Sequence, residues 1–251
     1  MAFSVEATLV DFLGDTEHFP CHAGHKVGDK VYYDGSELTG KMCTDLMLPL
    51  VDEIIKVHKM GPRYKQPDYY NLFWHSVNSY EDTSRAKYDG NGFVPINEPF
   101  DLPKHHVADL NPKGGFCWPP TDERVACSDV MVMCKDLRTA AVFKVEAVDF
   151  ATAGYHLPYT RRMMTIMDRV VKNGGSCPLN KVLDLYDDFE RNEIYPTLVQ
   201  PMVNEMSEEM ELIGFAKVED GVLTITDKGA ERVKKYATEI PEEHAKALKL
   251  I

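Results

Sequence analysis

The chain has 251 residues, 44% of them hydrophobic, and a formal net charge of −12 at pH 7. A chain of this length and composition forms one or two globular domains with a substantial buried core. The acidic charge argues against a general binder of nucleic acids or anionic membranes, because those partners require clustered Lys and Arg.

The sequence also lacks the usual signs of membrane insertion or export. No apolar run approaches the roughly 18 residues that a membrane-spanning helix requires. Residues 1–12 contain no basic segment followed by an apolar core, as a secretion signal would. We therefore expect a cytoplasmic protein whose six cysteines stay reduced rather than forming a disulfide framework. A single free cysteine most often packs as a small hydrophobic residue, so a functional thiol must be argued from its surroundings.

The first predicted elements are two strands and a helix. Residues 3–9 alternate between apolar and polar side chains, which predicts a strand with one buried face. A second, short strand is predicted at Lys30–Tyr33, after the turn-rich stretch Cys21–Asp29. Apolar residues then recur at helical spacing from Leu46 to His58, which predicts the first helix.

The start of this helix decides the environment of Cys43. Thr44 is a suitable N-cap residue, and a helix that begins there places Cys43 beside its positive end. That position favours the thiolate, the form that binds metals and attacks electrophiles. Pro49 offers an alternative start, because proline is favoured in a first turn and removes a backbone donor further inside. A helix that begins near Pro49 leaves Cys43 on a loop.

A long irregular insertion is predicted over residues 61–124. It is rich in Pro and Gly, and structureless loops beyond about 15 residues are usually functional or disordered. Its many aromatic residues favour an ordered segment packed over the domain. Since the insertion lies between Cys43 and Cys134, we expect it to cover the site where those thiols meet. We expect His105 or His106 to supply a proton-transfer group there.

Three reactive side chains precede an apolar run that ends at Val148. Cys134 is a soft metal ligand or nucleophile, Asp136 is an acid, and Arg138 has the fork geometry that binds anions. A strand opening with these residues places them at one edge of a sheet. Asp136 and Arg138 are then expected to orient an anionic substrate, or to form a salt bridge there.

The last part of the chain shows a different pattern. Predicted helices lie near residues 163–171, 178–186 and 195–213. Asp220-Gly221 between two apolar runs predicts a hairpin, and the turn Thr226–Gly229 leads into a final helix. Helices followed by a hairpin and another helix resemble a winged-helix domain, which we place at residues 159–251.

The charges of this region bear on whether it binds DNA or serves as an oligomerisation or lid element. Residues 159–251 contain 13 Lys and Arg against 17 Asp and Glu, and every charged residue of the predicted helix 195–213 is acidic. Helices that read the major groove usually carry Arg, Lys, Asn or Gln. We therefore expect an oligomerisation or lid element without specific DNA binding. The alternative is a DNA-binding regulator, because Arg232, Lys234 and Lys235 could contact a DNA backbone.

Three short motifs occur together in the first part of the chain. They are a Cys followed by Gly24–Asp29, the run Gly40–Cys43 before a helix, and Cys134–Arg138 before a strand. With them the region resembles a family of small cysteine-containing proteins, functionally undefined, from anaerobic bacteria and archaea. Those proteins are shorter, so the insertion 61–124 and residues 159–251 lie outside the resemblance. The family implies no reaction.

The resemblance singles out the thiols of Cys21, Cys43 and Cys134, together with His25. Such ligands suit a tetrahedral zinc or iron ion, or an iron–sulfur cluster with one iron open to substrate. The alternative is a site without metal. In that alternative Cys43 is a nucleophile or redox thiol and His25 is its base.

The sequence thus predicts an α+β protein of two domains. Residues 1–158 form a small mixed α/β domain that contains the long irregular insertion, and a winged-helix-like domain follows over 159–251. The expected function is an enzyme of anaerobic small-molecule metabolism with a thiolate-ligated metal or iron–sulfur site. Its chemistry would be of the lyase or hydrolase type, on a substrate that is small and anionic, in a homo-oligomer. The alternative is a transcriptional regulator that senses a metal, a ligand or the redox state.

Overall fold

The computed structural model describes residues 2–14, 16–64, 130–136 and 139–250. The chain divides into two compact units. The first unit is Phe3–Val148, and the second is Asp149–Ile251 together with Met1–Ala2. Both units contain helices and antiparallel strands, which confirms the predicted mixed α+β class. Apart from residues 61–64, the predicted insertion 61–124 lies outside the described residues.

The first unit is built on a five-stranded sheet. Its strands are β1 (Phe3–Gly14), β2 (Lys30–Tyr33), β3 (Leu38–Gly40), β4 (Val130–Met133) and β5 (Thr139–Phe150). Their order across the sheet is β3-β2-β1-β5-β4, and the helix α1 (Thr44–Met60) contacts β1 and β4. The predicted strands at 3–9 and Lys30–Tyr33 are confirmed. Of the two helix starts that the sequence left open, the structure has the one at Thr44, but the N-cap residue is Cys43 and not Thr44 as predicted.

Side-chain periodicity decides what each element buries. Val5, Ala7 and Leu9 on β1 are at most 1% exposed, whereas Glu6 and Thr8 between them are partly exposed. The buried apolar residues of α1 follow helical spacing: Leu46, Leu50, Ile54 and Val57. Burying such side chains gains about 25 cal/mol per Å² of apolar surface, which holds α1 against the sheet.

Cys134 and Asp136 lie in a turn between two strands. β4 ends at Met133, β5 begins at Thr139, and the two strands pair antiparallel. The prediction that Cys134 and Asp136 open the strand was therefore wrong. The four residues before Cys134 already form a buried strand, so the polar residues that follow make the reversal. Arg138 lies outside the described residues.

The second unit combines helices with a small three-stranded sheet. Its helices are α2 (Leu157–Lys172), α3 (Asp188–Asn192), α4 (Gln200–Leu212), α5 (Asp227–Glu239) and α6 (Glu242–Ala247). Its strands are β6 (Ser176–Pro178), β7 (Ala216–Glu219) and β8 (Val222–Ile225), in the order β6-β8-β7. No helix among the described residues is long and apolar enough to span a membrane.

Two predicted helices of this unit needed correction. The stretch 178–186 ends β6 and then forms a 3-10 helix at Leu179–Leu185, not an α-helix. The helix predicted from Tyr195 begins only at Gln200. Pro201 follows Gln200 in the first turn, where the missing N–H of proline is tolerated. The hairpin prediction is confirmed, because β7 pairs with β8 around Asp220-Gly221.

The boundary between the units falls between Val148 and Asp149, ten residues before the predicted boundary at 158/159. Phe150 explains this position. It is fully buried, and its ring packs against Phe215 with the centroids 5.6 Å apart. The last residues of β5 therefore belong to the core of the second unit.

Replacing Gly229 by alanine is expected to destabilise the second unit by about 2–3 kcal/mol. A Cβ at Gly229 would lie 2.9 Å from Ile225 Cγ2 and still closer to the carbonyl oxygen of Phe215. That oxygen belongs to the backbone and cannot turn away as a side chain can. Thermal unfolding followed by circular dichroism measures the loss.

The matched control is Glu231→Ala, at an exposed position of the same helix, with an expected change within about 0.5 kcal/mol. If the Gly229 variant were equally stable, α5 would have to lie farther from Phe215 than it does in this structure.

Candidate thiolate site

Cys43 lies immediately before the first turn of α1. It is the N-cap residue, with an extended backbone (φ −113°, ψ 169°), and its side chain makes no capping hydrogen bond. Its side chain is half-buried. The first N–H groups of a helix carry partial positive charge, so the start of a helix favours an anionic group at this position.

Cys134 is buried in the turn between β4 and β5. Its Sγ accepts a hydrogen bond from the N–H of Ala141 at 3.1 Å, and its own N–H donates to the carbonyl of Ala141 at 3.0 Å. Burial raises the pKa of Cys134 to about 11; the N–H groups of Asp136 and Ala141 lower it, and the negative charges of Asp136 and Cys43 raise it. The thiol therefore keeps its proton at neutral pH unless a cation compensates the charge.

Pro49 explains how the Cys134 turn docks on the start of α1. In a regular helix the N–H of residue 49 donates to the carbonyl of Asp45, four residues earlier. Proline has no N–H, and the carbonyl of Asp45 instead accepts the N–H of Lys135 at 3.0 Å. The proline thus leaves open the acceptor that holds the turn beside Cys43.

Replacing Pro49 by alanine is expected to loosen this contact. Residue 49 then has an N–H that competes for the carbonyl of Asp45, so Lys135 loses a hydrogen bond worth about 0.5–1.5 kcal/mol. Amide hydrogen exchange at Lys135 should become about two- to tenfold faster. Leu48→Ala, at an exposed neighbouring position, should leave that exchange unchanged. Unchanged exchange in the Pro49 variant would mean that the proline does not control the contact.

The segment 19–29 contacts the same region. The Thr139 hydroxyl donates to the Phe19 carbonyl, Lys41 Nζ donates to the Gly24 carbonyl at 2.9 Å, and His22 Nδ1 lies 3.7 Å from Asp136 Oδ2. These contacts join the segment to the residues before α1 and to the turn that carries Cys134. The structure therefore brings the segments that carry Cys21, His25, Cys43 and Cys134 together near the start of α1.

His25 is buried with unsatisfied ring nitrogens. Its side chain is 1% exposed, and its ring packs edge-on against Phe143 with the centroids 5.8 Å apart. Nδ1 lies 3.4 Å from Asp29 Oδ2, but neither ring nitrogen makes a hydrogen bond of good geometry with the part of the chain that the structure describes. The carboxylate of Asp29 is anchored, because Oδ2 accepts the N–H of Lys26 at 3.0 Å. This hydrogen bond lowers the pKa of Asp29.

Some of the predicted site residues lie in the part of the chain that the structure describes, and others lie outside it. The segments that carry the four predicted metal ligands meet near the start of α1. Within the described ranges, however, no three His, Cys, Asp or Glu side chains lie close enough together to hold a metal ion, so a metal site here stays a prediction. Asp136 lies beside His22. Arg138, His105 and His106 lie outside the described residues, and their catalytic roles stay predictions.

The sequence alone did not reveal three side chains of this region. In the sequence, Pro49 indicates only a disfavoured position inside the helix. In the structure, its missing N–H leaves the carbonyl of Asp45 free to accept the N–H of Lys135. Asp29 stands four residues after His25, a spacing that could have indicated a partner for the imidazole. The contact of His22 with Asp136 joins distant segments, and no local pattern predicts it.

Comparisons with protein-family models, curated proteins and solved structures found no match to this chain. The resemblance of the first domain to small cysteine-containing proteins therefore stays a prediction, as does that of the second to winged-helix domains. The function has to be inferred from the surroundings of Cys43 and Cys134.

Proposed function

We propose that this protein is an enzyme of small-molecule metabolism whose site is a thiolate-ligated metal centre in the first unit. Cys43 and Cys134 are the central ligands, with Cys21 as a third. The bound group is zinc, iron or an iron–sulfur cluster, all of which cysteine thiolates hold. The main support is the hydrogen bond from Lys135 to Asp45, which docks the Cys134 turn beside the N-cap cysteine.

The surroundings of Cys134 suit a metal ligand better than a free nucleophile. The residue is 5% exposed, and its sulfur accepts a backbone N–H. N–H groups directed at a sulfur stabilise the thiolate, whereas burial without a counter-charge opposes it. A metal cation supplies the counter-charge when the thiol proton is released. A nucleophile must reach its electrophile, which the half-buried Cys43 can do and Cys134 cannot.

Ionisable groups beside the thiols support a role in catalysis. The side chains of His22 and Asp136 are 53% and 14% exposed and lie 3.7 Å apart, so this pair can exchange protons with a bound molecule. Lys41, which donates to the carbonyl of Gly24, adds a positive charge that attracts an anion. These groups favour a small anionic substrate.

Metal analysis of protein purified without oxygen tests the proposal. The unaltered protein should contain about one metal ion or cluster per chain, and Cys43→Ser/Cys134→Ser should contain less than about a tenth of that amount. Cys177→Ser is the matched control, because Cys177 is also buried but belongs to the second unit. Equal metal content in the double variant, or none in the unaltered protein, would contradict a thiolate centre.

The topology of the second unit favours a second candidate function, a DNA-binding regulator. Helix α2 leads to β6, then to short helical segments, α4 and the β7–β8 hairpin, and β8 lies between β6 and β7. Winged-helix domains have this order, with α4 in the place of the recognition helix. The exposed charged residues of α4 are Glu205, Glu208 and Glu211, which phosphates repel. We therefore assign this unit to assembly of a homo-oligomer and not to DNA recognition.

Sedimentation and gel retardation of the full chain separate these two roles. We expect an oligomer in the absence of DNA and no sequence-selective retardation of DNA fragments at physiological salt. A complex with one sequence at a Kd of about 10⁻⁸ M or tighter, the range of specific regulators, would favour the regulator instead.

A further inference from the structure

Two stretches of the second unit carry no Asp, Glu, Lys or Arg: residues 150–160 and 194–204. In the whole chain 27% of the residues are charged, so uncharged stretches of this length stand out. Charged residues border both of them: Asp149, Arg161, Glu193 and Glu205. An uncharged centre with a charged border is typical of a protein–protein interface.

The two stretches lie side by side in the folded unit. The ring of Tyr159 in α2 packs edge-on against the ring of Tyr195, with the centroids 6.5 Å apart. Residues Gly154–His156 form a 3-10 turn that runs directly into α2. Tyr155 therefore lies about one turn before Tyr159, on the same side. We call Tyr155, Tyr159 and Tyr195 the tyrosine patch.

The tyrosine patch is open to solvent. Tyr155 is 85% exposed and Tyr195 is 66% exposed, although each carries a large apolar ring. Single apolar residues at the surface are normal, whereas neighbouring exposed apolar residues mark sites where another molecule binds. Tyr is enriched in interfaces, because its rigid ring buries a large area and loses little conformational entropy.

Arg162 fixes the backbone that presents Tyr195. Its guanidinium is fully buried and donates to the carbonyl of Pro196 at 2.7 Å and to the carbonyl of Ile194. These are the residues on either side of Tyr195. A surface that is ordered before binding loses less entropy when its partner binds. The buried arginine thus makes Tyr195 part of a preformed binding surface.

The charge of the protein favours a second copy of the chain as the partner. Copies with a net charge of −12 repel each other, and they approach most easily through a surface without acidic side chains. In a two-fold interface the same patch serves both subunits and must be complementary to itself. Tyrosine meets this requirement, because its hydroxyl both donates and accepts hydrogen bonds and its ring packs edge to face on another ring.

We infer that the tyrosine patch is the centre of an interface between two copies of this chain. The inference rests on the proposed assembly role of the second unit and names the surface responsible. Interfaces of standard size contain about 20–30 residues on each side, so residues around the patch complete the contact. A few central residues, often including Tyr, nevertheless carry most of the binding energy. Changes at Tyr155 and Tyr195 should therefore control dimerisation.

Analytical ultracentrifugation of the full-length protein tests the inference. The unaltered protein should be a dimer, and Tyr155→Glu and Tyr195→Glu should each raise the dimer Kd more than about 30-fold, as loss of a central interface residue does. Tyr195→Phe keeps the ring and should raise the Kd less than about tenfold. Phe189→Glu is the matched control, because Phe189 is 67% exposed but stands beside Asp187 and Asp188. It should leave the Kd unchanged.

A mixture of two variants gives a positive signal that does not depend on loss of binding. Tyr195→Lys also lacks the ring and should dimerise weakly by itself. Mixed with Tyr195→Glu, it should form a dimer about tenfold tighter than either variant alone, because opposite charges then meet across one interface.

Two results would overturn the inference, and they differ in what they leave standing. If the unaltered protein is an oligomer and both Glu variants associate as tightly, the tyrosine patch is not the interface, but the assembly role of the second unit stands. If the unaltered protein is a monomer, the assembly role and the interface both fail, and the patch is left to a partner of another kind.

Discussion

Replacing Arg162 by leucine is expected to destabilise the second unit by about 3–5 kcal/mol. Arg162 is fully buried in α2. Its guanidinium donates hydrogen bonds to the backbone carbonyls of Glu190, Arg191, Ile194 and Pro196. Leucine leaves these oxygens without that donor, and an unsatisfied buried carbonyl costs about 1–3 kcal/mol. The connection between α3 and α4 would lose its attachment to α2.

Thermal unfolding followed by circular dichroism measures this effect. The transition of the second unit should move down by at least about 12 °C, since 1 kcal/mol shifts Tm by about 4–8 °C in a domain of about this size. Arg162→Lys keeps the charge but lacks the planar fork, so it should lose most of the same stability. Arg161→Lys, at the neighbouring half-buried arginine, is the matched control, with an expected change within about 1 kcal/mol. An Arg162→Leu protein as stable as the unaltered one would mean that other donors satisfy these carbonyls.

Binding of Zn²⁺ is expected to raise the unfolding free energy of the first unit by about 4 kcal/mol. A ligand that binds only the folded state adds about 4.1 kcal/mol when its free concentration is 1,000 times its Kd. The proposed ligands come from separate segments of the chain, so the unfolded chain cannot hold the metal in the same way. Cys134→Ser should abolish this gain, whereas Cys177→Ser in the second unit should keep it.

Denaturant unfolding with and without Zn²⁺, followed by hydrogen exchange of amides in β1 and β5, reports on this unit specifically. An increase in the unfolding free energy of about 4 kcal/mol is expected for the unaltered protein. If Cys134→Ser gained as much from Zn²⁺ as the unaltered protein, the buried thiol would not be a ligand.

The features that the sequence predicted well are those decided by neighbouring residues. The alternation of apolar and polar residues predicts β1, because successive side chains on a strand point to opposite faces of the sheet. The hairpin follows from Asp220-Gly221, whose φ angles of 50° and 75° are those that a tight two-residue turn requires. Thr226 caps α5 by accepting the N–H of Gly229 at 3.2 Å, as its residue type favours.

The features that the sequence did not predict depend on distant residues. β4 is four buried residues long, and its periodicity cannot distinguish a strand from another buried segment. The 3-10 helix Leu179–Leu185 has apolar residues whose spacing also fits an α-helix. In the site, the turn that carries Cys134 is held at the start of α1 by the Lys135–Asp45 hydrogen bond, which depends on residues far apart in the chain.

X-ray absorption spectroscopy at the metal edge, on protein purified without oxygen, tests the thiolate centre most directly. If Cys43 and Cys134 are ligands, the metal should show a sulfur shell near 2.3 Å, with a nitrogen shell near about 2.0–2.1 Å if His25 also binds. The sulfur shell should disappear in Cys43→Ser/Cys134→Ser and persist in Cys177→Ser. A metal surrounded only by nitrogen and oxygen at about 2.0–2.2 Å, with the same spectrum in the double variant, would contradict a thiolate centre.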